Sequence, residues 1–144
     1  MHSRVYPFAL LAAFVLLCVP LQAALPLTAI RKMQEASPEK VKIEITEVTK
    51  RERKDIPLFL FEMTVKAKVV AVTASASGLA VGDELEIHYM FPNLGKVRLA
   101  GDWPGEVHNG STYNAFLKVK DAAKKTYDPA ASSGSFERVE VKQP

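Results

Sequence analysis

From Val41 onward, apolar and polar residues alternate. In VKIEITEV, Val41, Ile43 and Ile45 are separated by Lys42, Glu44 and Thr46. That is the period of two expected of a half-buried strand, whose successive side chains point to opposite faces. The stretch LFLFEMTVKAKVVAVTA carries the longest such signal. Phe59, Phe61, Met63, Val65, Ala67 and Val69 fall on one face, and Glu62, Thr64, Lys66 and Lys68 on the other. A straight strand of that length would exceed roughly 45 Å, too long for a small domain, so it must curl or break, near Ala71 to Ser77. ELEIHYMF alternates again, with Leu85, Ile87 and Tyr89 inward and Glu84, Glu86 and His88 outward. TYNAFLKVK places Tyr113, Ala115, Leu117 and Val119 on one face, KVRLA is a short strand, and SFERVEV a terminal one.

The segments between are read as connections. TKRERKDIP is too charged for a core and closes on Pro57. SASGLAVGDE, GDWPGEVHNGS and YDPAASSG are rich in the Gly, Pro, Asp, Asn and Ser that punctuate strands. No convincing helical period separates the strands, which argues against parallel βαβ winding. The expected fold is all-β, a small antiparallel OB-like barrel of five to six strands over residues 41–144. Before it, residues 24–40 form a lead-in segment with a short helix of a turn or two, capped by Thr28 and ended by Pro38.

The first 23 residues follow a different pattern. Arg4 precedes twelve unbroken apolar residues, Phe8 to Val19, and Ala23 offers a small residue for cleavage. This is the layout of a secretory signal peptide, and the run falls short of the roughly 20 residues that a membrane span requires. Cleavage leaves 121 of the 144 residues, removes Arg4 and so lowers the net charge from +3 to about +2, and removes Cys18, the one cysteine. The mature chain is expected in the periplasm or secreted, without a stable membrane span. It must fold on its apolar core without disulfides. Cysteine nucleophiles and cysteine-ligated metals are excluded from it. Its near-neutral charge gives no reason to expect a nucleic-acid partner.

The strand, G-L-x-x-G-D turn and strand of VVAVTASASGLAVGDELEIHY, followed by the G-S-T-Y-N-A-F-L segment, resemble the OB-like barrel of netrin-type modules and tissue inhibitors of metalloproteinases. The matching positions are Gly78, Gly82 and Asp83, then Gly110, Tyr113, Phe116 and Leu117. The resemblance spans residues 41–141 and implies the barrel alone. The inhibitors of that group use an N-terminal disulfide-bonded cysteine, and here the mature end is near Ala24-Leu25-Pro26.

Three residues are candidate contacts for a ligand or partner. His88 shares its strand face with Glu84 and Glu86, an arrangement that suits metal ligation or proton transfer and equally a solvated strand face. His108 lies in the Gly-rich loop near Asp102 and Glu106. Trp103, the one tryptophan, either caps a barrel end or offers a stacking platform; capping is the expectation. The basic run Lys50, Arg51, Arg53 and Lys54 has no interleaved aromatic of the kind that single-stranded nucleic acid stacks on. The serines form no G-x-S-x-G elbow or S-x-x-K pair, and Asn109-Gly110-Ser111 is formally a glycosylation acceptor.

No catalytic residue, metal or cofactor is assigned. The expected function is a non-enzymatic binding module for a protein or small ligand in the envelope or outside the cell. The alternatives are a metal-binding protein or metal-assisted hydrolase using His88 and His108, and an inhibitor of an exported protease. Expressed from its full gene, the protein should leave the cytoplasm with a new N-terminus near Ala24, read by intact mass. Retention of Met1 to Ala23 in a membrane fraction would identify an anchor instead.

Overall fold

The computed structural model describes residues 25–56, 59–95 and 101–140. The signal segment 1–23 and the KVRLA strand lie outside them. Among the described residues no helix is long and apolar enough to cross a membrane. A helix α1 (Leu27–Ala36) leads into six strands: β1 (Glu39–Arg53), β2 (Leu60–Ser75), β3 (Glu84–Pro92), β4 (Thr112–Asp121), β5 (Thr126–Pro129) and β6 (Phe136–Arg138).

Five strands close into a barrel in the order β1-β2-β3-β5-β4, with β4 pairing back onto β1, and β6 adds to β4. Each neighbouring pair is antiparallel except β3 and β5, which run parallel. The fully antiparallel expectation is therefore corrected, and the reason is parity. Around a ring of five strands direction cannot alternate at every step, so one pair must match. That pair is short: only Glu86 with Thr126 and Ile87 with Tyr127.

The inward face follows the alternation. Val41, Ile43, Ile45, Met63, Val65, Ala67, Val69, Leu85, Ile87, Tyr89, Tyr113, Ala115 and Leu117 are buried in one core with Tyr127 and Phe136. The long strand β2 stays continuous and curls. Three irregularities in its pairing with β1, between Lys40/Val41, Lys42/Ile43 and Ile45/Glu47, bend the hairpin, as extra residues in one strand do.

Several local expectations are revised. Most of the basic run read as a loop, Lys50 to Arg53, is the end of β1, paired through Arg53 with Leu60. Ion pairs offset the crowding of its cations: Arg53 with Asp55 at 2.5 Å and with Glu62 at 3.9 Å, and Lys50 with Glu106. Phe59, expected inward, is 47% exposed, and its backbone turns left-handed at φ +50°. Alternation holds from Phe61, half-buried against the core, through Met63 to Val69, while Leu60 is buried apart from that core cluster. Val119 is exposed because β4 has by then run past its pairing with β1, which ends at Leu117. YDPAASSG, read as a loop, supplies β5 and a 3-10 turn over Ser132–Gly134.

The lead-in helix forms with Pro26 as its N-cap; Thr28 does not cap it. It buries no residue, and Leu27 is 73% exposed. One side chain anchors it: Gln34 Nε2 donates to the Gly134 carbonyl and to Glu137 Oε1, each at 2.8 Å. Ile30 comes so close to Gly134 that a β-carbon there would collide with its Cγ2.

Glu39, at the start of β1, shares the inward parity of Val41 and is fully buried. Ser75 Oγ donates to one carboxyl oxygen, and the Ser77 N–H donates to the other at 2.8 Å. The Leu79 N–H donates to Ser75 Oγ at 2.8 Å, and Ser77 Oγ lies 2.9 Å from the Tyr127 hydroxyl. One side chain thus ties β1 to the β2–β3 connection. Glu39→Ala strands a buried hydroxyl and a backbone N–H, and should destabilise the domain by about 3 kcal/mol in urea unfolding. A loss under about 1 kcal/mol would mean that water satisfies those groups equally well.

Candidate functional site

Beyond Ile87 the strand β3 pairs only with β2, because its partner on the other side, β5, has diverged. The barrel wall opens there. Tyr89 stands behind the opening with its ring 5.6 Å from that of Phe136, which meets Tyr113 edge-on at 6.3 Å.

The Gly- and Pro-rich loop is pinned to these aromatics. The Tyr89 hydroxyl donates to the Gly105 carbonyl at 3.1 Å, and the His108 N–H donates to the Tyr113 hydroxyl at 3.1 Å. Val107 fills the core beneath. Asp102 Oδ2 accepts the Ser133 N–H at 3.2 Å, fastening the loop to the 3-10 turn. Strand alternation does not single out Val107. Its signal was a lone aliphatic residue within a polar, turn-forming run.

Trp103 is half-buried at the rim of the opening. Its indole Nε1 is buried and has no hydrogen-bond partner among the described residues. That atom faces Gly101, where a β-carbon would sit 2.9 Å away and where φ is +153°, a conformation that favours glycine. With the nitrogen edge turned inward, the part of the indole left to line the opening is hydrocarbon.

The opening is a solvent-open cleft of 440 Å³. Trp103 and Pro104 form one wall and β3 contributes His88, Tyr89 and Met90; Lys118 and Asp128 face it from β4 and β5, and Met33 reaches it from α1. The structure therefore brings together two of the three sequence candidates, Trp103 and His88. His108 is exposed and does not line this cleft.

His88 Nε2 lies 2.5 Å from Glu86 Oε1. If the neutral ring donates from Nε2, Nδ1 is left as an acceptor. Glu84, expected with them, borders a separate polar groove with Glu86, Lys66 and Lys124. Among the described residues no group of three or more His, Cys, Asp and Glu side chains is placed to hold a metal ion. Lys118 and Asp128 sit at directly opposed positions of β4 and β5. Neither side chain makes a hydrogen bond or ion pair among the described residues.

Compared with protein-family models, with curated proteins and with solved structures, the chain gives no match.

Burial, and then the Glu106 carboxylate, push the Tyr89 phenol well above its ordinary value. The neutral phenol is the form that the fold favours. Its contribution is fully present below the unfolded value of about 10 and is lost as pH rises towards the folded value. The urea midpoint should therefore fall as pH rises above about 10, and Tyr89→Phe should flatten that fall. An equal alkaline loss in the variant would assign it to other groups.

Proposed function

We propose that the mature domain is a non-enzymatic binding module, exported from the cytoplasm, that takes its ligand in the cleft at the β3–β5 opening. The observation that carries this reading is the concentration of uncommitted groups there. Hydrocarbon of Trp103 lies beside two thioether residues and two charged side chains that have no partner among the described residues. Binding sites are typically concave and largely apolar, with a few placed polar groups.

The ring β1-β2-β3-β5-β4, closed by β1 with β4, supports the OB-like reading and the fold-level likeness to netrin-type modules. The outer face of β1–β3 gives little support to a nucleic-acid partner. Its register sets Glu44 against Lys68, Lys68 against Glu84, and Lys66 against Glu86, so positive and negative charges alternate across it. The metal-assisted alternative is less supported, because His108 stands apart from the cleft that holds His88.

A fragment screen by amide-resolved NMR tests the proposal without knowledge of the ligand. Hits should cluster on His88, Trp103 and Lys118 and vanish in Trp103→Ala, with the amide spectrum elsewhere retained. Hits scattered over the surface, or collapse of the fold in Trp103→Ala, would make Trp103 a structural plug and end the proposal.

A further inference from the structure

Resting on that reading of the cleft, we infer that its ligand is a neutral saccharide, stacked on Trp103 and hydrogen-bonded by Lys118, Asp128 and His88. The argument is one of matching. Lys118 and Asp128 bring one positive and one negative charge to adjacent positions, and His88 is already engaged by Glu86. A strongly anionic ligand would meet Asp128, and a cationic one would meet Lys118.

A wholly apolar ligand is matched no better. Seating it would strip water from two charged groups without replacing their hydrogen bonds, which is strongly unfavourable. What fits is a molecule that is uncharged, has one hydrocarbon face and carries hydroxyls around its edge. A pyranose ring has that construction. Its axial C–H face lies on the indole carbons, which line the cleft because Nε1 is turned towards Gly101. Its hydroxyls donate to Asp128 and accept from Lys118, and one donates to His88 Nδ1 where Nε2 donates to Glu86. The cleft is open to solvent, which suits a chain of sugars running through it better than a small ligand enclosed within it.

Trp103 is the only tryptophan in the chain, so its emission reports this cleft directly. The exported protein is titrated with hexasaccharides of β-1,4-glucose, β-1,4-N-acetylglucosamine, α-1,4-glucose and mannose. In parallel it receives an aromatic carboxylate and an aromatic ammonium as charged probes. The expected result is a saturable emission change with at least one glycan. Lys118→Ala and Asp128→Ala should each weaken it about tenfold, the loss of one hydrogen bond to a charged group, with unchanged urea midpoints.

No saturable change with any glycan overturns the saccharide assignment. If a charged probe then saturates the emission, the cleft remains a ligand site of another class. If neither probe does, the binding reading falls with it. Glycan binding that both variants leave intact would also overturn the assignment, because the sugar would then lie elsewhere.

Discussion

A ring with an odd number of strands has to contain one parallel pair, and the architecture of this domain follows from where that pair falls. Here it is β3 beside β5, close to the turns that lead into both strands, and it holds for two residues on each strand. The long antiparallel ladders β1–β2 and β2–β3 form the rigid side of the barrel. The seam opposite is short, and what lies over it is side-chain packing and a loop. The cleft is thus a by-product of closure. It sits where the backbone ladder stops and where Tyr89, Tyr113, Phe136 and Val107 must hold the wall shut from within.

Polar groups do comparable work at the β2–β3 connection. Glu39 spends its carboxylate on Ser75 and the Ser77 backbone. The turn that follows is held by Asp83, which accepts the Ala80 N–H at 2.9 Å and pairs with Lys125 at 3.1 Å. Those two contacts, the backbone one foremost, hold the Asp83 carboxyl below its ordinary value. They also link the β2–β3 turn to the β4–β5 turn, next to the parallel seam. The G-L-x-x-G-D pattern legible in the sequence therefore has a local physical meaning, whatever its ancestry.

Much of the barrel could be read from alternation, because the inward residues of β1, β3 and most of β2 obey it. The failures have specific causes. β5 is four residues long with one buried side chain, Tyr127, too short for a period to show. The left-handed backbone at Phe59 ends the alternation one residue before β2 begins, which no periodicity can anticipate. Glu39 carries a signal, since it stands two before Val41, but its charge argues for the surface, and only the Ser75 hydroxyl and Ser77 N–H allow its burial. Of the site, the outward direction of His88 and the unusual company of Trp103 were legible. Their meeting was not, because it depends on β5 leaving β3 after two residues.

The bonds from Gln34 to Gly134 and Glu137 close a loop of about a hundred residues. The entropy of closing a flexible loop grows only as the logarithm of its length, but two exposed or half-exposed hydrogen bonds recover little of it. The barrel must already exist to bring the two ends within reach. The helix should therefore dock last in folding and leave first in unfolding. Because α1 carries Met33 at the edge of the cleft, the least secured piece of the fold is also one of the cleft's walls. The width of that opening is set by the last event of folding, and it can change while every strand of the barrel stays in place.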